Sequence, residues 1–176
     1  MQEEYGIEYL NKLWDAFPEV PGRADYCVYW FYKAHRNLKV GGFAGLVGTN
    51  TIRENYSREG SLDYIADNGG TIFNAISSQP WSGDAAVSVS IVNWIKGEYS
   101  KPKFLYVANR KGDFDEYKLD EINTSLTVRT DVSKARILKC NKKPKLVFQG
   151  QTHGHKGFLL SQRQGKELIE QNPKNS

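Results

Sequence analysis

The chain has 176 residues, 39% hydrophobic and 25% charged, enough for one domain with a real core and ordinary for a globular protein. Its net charge of +4 permits an anionic partner without demanding one. No apolar run approaches the roughly 20 residues that span a bilayer, the acidic opening MQEEYGIEYL is no signal peptide, and the distant Cys27 and Cys140 fit a reducing cytoplasm rather than a disulfide framework.

From the N-terminus, Ile7, Leu10, Leu13, Trp14 and Phe17 recur at helical spacing and predict a short amphipathic helix over residues 3–17. PEVPGR then reads as a turn, because each proline biases its predecessor away from helix. A stronger helix starts at Ala24. Cys27, Phe31, Ala34 and Leu38 form its apolar stripe, with Val28, Trp30 and His35 beside it, and Lys33, Arg36 and Asn37 lie toward the other face. Asp25 suits the positive helix end, and Gly41-Gly42 ends the element.

Phe43 to Thr49, FAGLVGT, is small and apolar without alternation, the pattern of a strand buried on both faces in a parallel sheet. Thr49-Asn50-Thr51 reads as a polar turn out of that strand. Ser57 is expected to cap a helix to about Asp67, with Leu62, Ile65 and Ala66 inward and Asn68-Gly69-Gly70 as its stop. The next two apolar segments read as an antiparallel hairpin. Thr71 to Ile76 is the first, and in the second Val87, Val89 and Ile91 alternate with Ser88 and Ser90. The helix between the first two strands predicts a right-handed parallel crossover, and the hairpin adds an antiparallel strand to a mixed sheet.

The hairpin loop, Ser77 to Asp84, is longer than a hairpin needs. Near its tip Trp81 sits between Pro80 and Ser82-Gly83. An aromatic so placed either folds back onto its own domain or waits for a flat partner.

Past Gly97 a strand is expected near Phe104 to Val107, followed by a turn at Lys111-Gly112-Asp113. Residues 134–145 carry Lys134, Arg136, Lys139, Lys142, Lys143 and Lys145, a basic run that reads as a solvated face or a nucleic-acid patch. Ser161-Gln162-Arg163-Gln164 resembles a capping box opening a last helix toward Gln171.

Several chemistries find no support in the pattern. His153, His155 and Cys140 match no zinc spacing. GGFAGLVG lacks G-x-G-x-x-G and runs into a strand rather than a helix start. No G-x-S-x-G elbow occurs.

Four blocks, ADYCVYWFYKA, GGFAGLVGTNTIRENYSREG, GGTIFNAISSQPWSGDAAVSVSIVNWIKG and FQGQTHGHKGFLL, together carry a resemblance. The chain is similar to the second half of the methyltransferase domain of adenine-specific DNA methyltransferases. Within these it most resembles the bifunctional type IIG restriction–modification enzymes, over about residues 20 to 160. Such enzymes extrude the target base and transfer a methyl group from S-adenosylmethionine to its amino nitrogen.

The resemblance implies an α/β fold: a partial Rossmann-like methyltransferase sheet, parallel with an antiparallel final strand, lacking its N-terminal cofactor-binding half. Phe43 to Thr49 would be the fifth strand and the hairpin the last two. Residues 1–100 would be the end of the catalytic domain, 101–150 added strands with a basic connection, and 151–176 the passage to a target-recognition region. Trp81, Ser82, Gly83 and Asn50 would line the target-base pocket. Arg53, Arg58, Lys142, Lys143 and Lys156 would face DNA.

The family's Asn-Pro-Pro-aromatic tetrapeptide, glycine-rich cofactor loop and ribose-binding acidic residue have no counterpart in this sequence. The chain is therefore expected to be one piece of a parent enzyme, with no catalytic residue of its own and inactive alone. S-adenosylmethionine would serve the parent only, and double-stranded DNA would be the parent's partner, in the cytoplasm and away from any membrane. An edge strand deprived of its neighbour recruits another, so self-association is expected. The alternative is a non-catalytic nucleic-acid-binding domain using residues 134–156.

Overall fold

A computed structural model describes residues 2–129 and 160–171, among which one mixed sheet is flanked by helices. Helix α1 (Gln2–Ala16) is broken at Gly6, whose φ of 76° leaves the helical region. Helix α2 (Val28–Asn37) leads to strand β1 (Phe43–Thr49), and a 3-10 turn (Asn50–Arg53) comes next. The second helical stretch comprises α3 (Asn55–Arg58), a π segment (Glu59–Asp63) and α4 (Tyr64–Asp67). Strands β2 (Gly70–Pro80), β3 (Ser88–Lys96), β4 (Lys103–Ala108) and β5 (Phe114–Leu119) complete the sheet. Helix α5 (Gln162–Gln171) belongs to a second compact unit and stands by itself here.

The strand order is β1-β3-β2-β4-β5. Strand β3 is antiparallel to both β1 and β2, so those two run parallel to each other with β3 between them. Strand β4 adds in parallel to β2, and β5 returns antiparallel to β4. The sheet is thus mixed, as expected, and compatible with part of a Rossmann-like fold. The hairpin's return strand lies inside the crossover pair rather than beside it.

One sheet face carries the core. Trp94, Val92, Ile72, Ala75 and Leu105 are buried on it and meet Phe31, Tyr32, Leu62 and Ile65 from the helices. The Phe31 and Trp94 rings stack at 5.8 Å. His35 sits in this core. The Trp94 indole N–H donates to its Nδ1 at 3.2 Å, which leaves Nε2 to carry the proton toward the Asn68 carbonyl at 3.2 Å. Burial lowers the His35 pKa, the Asn68 carbonyl pulls it upward, and Lys96 adds a smaller push down.

Several expectations are corrected. Among the described residues, Phe43 to Thr49 is not buried on both faces and has no parallel neighbour. It is an edge strand with an antiparallel partner, and Phe43 (59%) and Val47 (46%) are exposed on its outer side. Small and apolar residues there reflect an uncovered face as readily as a covered one. Trp30 is 55% exposed, its ring carrying the Lys33 ammonium at 5.2 Å, while Tyr29 and Tyr32 take the buried phase of α2. Ile7 and Ala66 also face outward.

Ser57 is no cap. The helix starts at Asn55, and the buried Ser57 Oγ accepts the Asp25 N–H at 3.0 Å. The hairpin strand runs on to Pro80, so the loop is 81–87 rather than 77–84, and Ser77 and Ser90 are buried. The Val-Ile phase of β3 is accordingly not the deeper one: Ser90, Val92 and Trp94 are all fully buried. The capping box at α5 is present, with Ser161 N–H donating to Gln164 Oε1 at 2.9 Å and Gln164 N–H to Ser161 Oγ at 3.3 Å.

Candidate functional site

Open α/β sheets place ligand sites at the C-terminal ends of their parallel strands. Here β1 ends at Thr49, which pairs with Val89, and β2 ends at Pro80, which pairs with Ser88. The two strand ends therefore flank the first residues of β3. Asn50 on one side and Trp81, Ser82 and Gly83 on the other emerge at the same end of the sheet.

A polar knot joins the two ends. Arg53 Nε donates to Asn50 Oδ1 at 2.8 Å and its Nη1 to Ser77 Oγ at 3.2 Å. Ser90 Oγ donates to the Ser77 carbonyl at 2.6 Å and lies 3.3 Å from Asn50 Oδ1. Ser77 Oγ in turn donates to the Leu126 carbonyl at 2.7 Å. The knot sits on a register shift between Ile76 and Gln79, where two residues of β2 oppose Ser90 alone. A bulge at a strand end re-aims the chain beyond it, and here the serine hydroxyls hold its irregular backbone.

The loop past the bulge is built otherwise. Trp81 N–H donates to the Val87 carbonyl at 2.9 Å, closing the loop base, and residues 81–87 are all exposed. Trp81 itself is 46% exposed. Gly83 lies against its indole, close enough that any Cβ there would collide with Nε1. Of the two alternatives for Trp81, the ring is thus not folded into the core.

On the β1 side, Thr49 Oγ1 and Thr51 Oγ1 both donate to Asp25 Oδ2, at 2.8 and 2.5 Å. Asp25, read from sequence as a helix-end charge, instead clamps the exit of β1 to the start of α2. No local pattern announces such a pairing, since its partners lie 24 and 26 residues away.

The sequence-predicted residues divide. Trp81 and Ser82 are exposed at the rim with Gly83 against the indole, and Asn50 is there but engaged. Arg53 is spent on the knot, with an exposed Glu54 carboxylate at 3.7 Å as well. Arg58 is turned inward to Asp63 at 3.1 Å and Ser125 at 3.0 Å. Lys142, Lys143 and Lys156 lie outside the described residues. Among the described residues no cluster of three or more His, Cys, Asp or Glu side chains could hold a metal ion, and no helix is long and apolar enough to cross a membrane.

No family model matches the chain, and no curated protein does. Among solved structures, the chain is similar to the type IIL restriction–modification enzyme MmeI in complex with DNA. The TM-score is 0.61 and the identity 22%, over 72% of this chain and 18% of that one. At that identity the likeness is one of fold. This chain spans under a fifth of the length of that enzyme.

Proposed function

We propose that this polypeptide is part of a restriction–modification enzyme and forms one wall of the pocket that receives a base extruded from DNA. The observation that carries the reading is the exposed Trp81 at the strand-end rim. The fold likeness to a restriction–modification enzyme determined with DNA supports it. Stacking a base on an aromatic ring contributes about 1–3 kcal/mol, and a half-exposed indole beside Ser82 and Gly83 offers such a surface.

In this reading the parent enzyme methylates the adenine amino group with S-adenosylmethionine in the cytoplasm. In this reading the cofactor is held elsewhere in the parent enzyme, and the polar side chains at the end of β1 are engaged within this chain. The Asp25 carboxylate is occupied by two threonine hydroxyls, and Asn50 and Arg53 are bound to each other. The part played by this chain is therefore confined to shaping the base pocket and facing DNA. Residues 1–100 supply that pocket wall, 101–150 the added strands and basic connection, and 151–176 the passage toward target recognition.

Incubating the isolated chain with duplex DNA and radiolabelled S-adenosylmethionine tests this division of labour. The chain binds DNA and leaves it unlabelled; label transfer, or no DNA binding at all, contradicts the reading. The β1 edge adds a consequence, because FAGLVGT carries no charge or proline to blunt strand addition. The chain self-associates there, so small-angle scattering reports a mass rising with concentration, and Val47→Lys lowers it. A concentration-independent monomer would remove this part.

A further inference from the structure

A hollow opens near the exit of β1, separate from the Trp81 loop. It is an open surface depression of about 340 Å³ lined by Trp14, Pro21, Gly22, Arg23 and Tyr56. Its position is set by chain neighbours. Arg23 lies two residues before Asp25, which holds Thr49 and Thr51, and Tyr56 precedes Ser57, which accepts the Asp25 N–H.

The walls of this hollow are aromatic. Gly22 lies on the Trp14 indole, where an added Cβ would come within 3.2 Å of ring atoms. The Trp14 Nε1 is buried without a hydrogen-bond partner among the described residues, and that added Cβ would lie equally close to it and to the adjoining Cε2. Tyr56 is half exposed. The Arg23 guanidinium stands 6.0 Å from the Tyr56 ring centroid. Among the described residues no carboxylate lies within salt-bridge reach of it.

Two aromatic side chains beside a cation that makes no salt bridge among the described residues suit a flat ligand that carries negative charge. The size is at the lower end of small-molecule sites, which run from about 300 to 1,000 Å³. A guanidinium matches phosphate oxygens in a two-point geometry that an ammonium lacks. We propose that this hollow binds one nucleotide unit, with the base against Trp14 and Tyr56 and the phosphate on Arg23. The site uses no residue of the 81–87 loop and stands or falls apart from the base-pocket reading.

The test is isothermal titration of the full chain with deoxyadenosine monophosphate, deoxyadenosine, inorganic phosphate and a six-residue deoxyadenylate strand. The monophosphate binds more tightly than the nucleoside. Arg23→Gln erases that difference and Arg23→Lys restores part of it. Tyr56→Leu weakens nucleotide and nucleoside together, by about fivefold or more for the loss of one stacking partner. A strand that binds beyond its statistical advantage over the monophosphate identifies a nucleic-acid source, and equal binding identifies a free nucleotide. Because Arg23 and Tyr56 are surface residues, both variants retain the wild-type circular dichroism spectrum. Binding by none of the base-bearing probes, or binding that both Arg23→Gln and Tyr56→Leu leave unchanged, overturns the proposal.

Discussion

The knot of Arg53, Asn50, Ser77 and Ser90 and the loop bearing Trp81 are neighbours at one end of the sheet, and they are built in opposite ways. In the knot nearly every polar group that could reach a ligand is turned on another group of the same chain. In the loop one backbone hydrogen bond closes the base, and the indole above it has open space. Residue type alone therefore does not tell which polar groups are already engaged within the chain. An arginine and an asparagine at a strand end look like phosphate and base contacts, yet here they hold a bulge in shape, and the unpaired surface is apolar.

The two regions should respond differently to substitution. Ser90→Ala removes the donor from the buried Ser77 carbonyl and from Asn50, and a buried acceptor left unsatisfied costs about 1–3 kcal/mol. Urea denaturation followed by circular dichroism should report a loss of that size. An unchanged midpoint would mean that the knot is ornamental.

A smaller effect reaches the platform beneath both regions. His35 is held neutral in the core, with its pKa lowered by burial first and by Lys96 last, against the upward pull of Asn68. The unfolded chain takes up the proton near pH about 6.5, whereas the native chain does so only at lower pH. The unfolded state then binds more protons across that window, so stability rises with pH there. The stabilisation from a neutral His35 is complete above the unfolded value and is lost as pH falls through the native one. Thermal melting between pH 7 and pH 5 should show this fall, and His35→Gln should flatten it. A wild-type profile no steeper than that of the variant would refute the assignment.

Much of this arrangement was legible from local pattern, and the parts that were not share a cause. The body of α2, the capping box of α5 and the strand at Lys103–Ala108 rest on spacings within a few residues, and periodicity reports those directly. The hairpin was legible too. Its loop was placed too early because Ser77 and Ser78 look like loop residues, whereas Ser77 is a buried member of a bulge.

The partners of the serines, Asn50, Arg53 and Asp25 were not legible for one reason. The identity of a polar partner is set by the fold rather than by sequence neighbours. Ser77 reaches a carbonyl 49 residues on, and Ser90 reaches back 13. The outward face of β1 escaped for a related reason, since FAGLVGT is apolar on both sides and only the sheet order decides which side is covered. Trp81 stands out in the sequence because a large ring flanked by proline and glycine has little local reason to be there, and the structure leaves it 46% exposed.

Whether Trp81 offers its ring to an extruded base is decided by the fluorescence-anisotropy affinity of the chain for two labelled duplexes, one fully paired and one carrying a single unpaired adenine. The wild-type chain should prefer the duplex with the unpaired base, and Trp81→Ala should abolish that preference while shifting stability by less than about 0.5 kcal/mol. Equal affinity of the wild-type chain for both duplexes, or a preference that survives Trp81→Ala, would rule out that role for the indole.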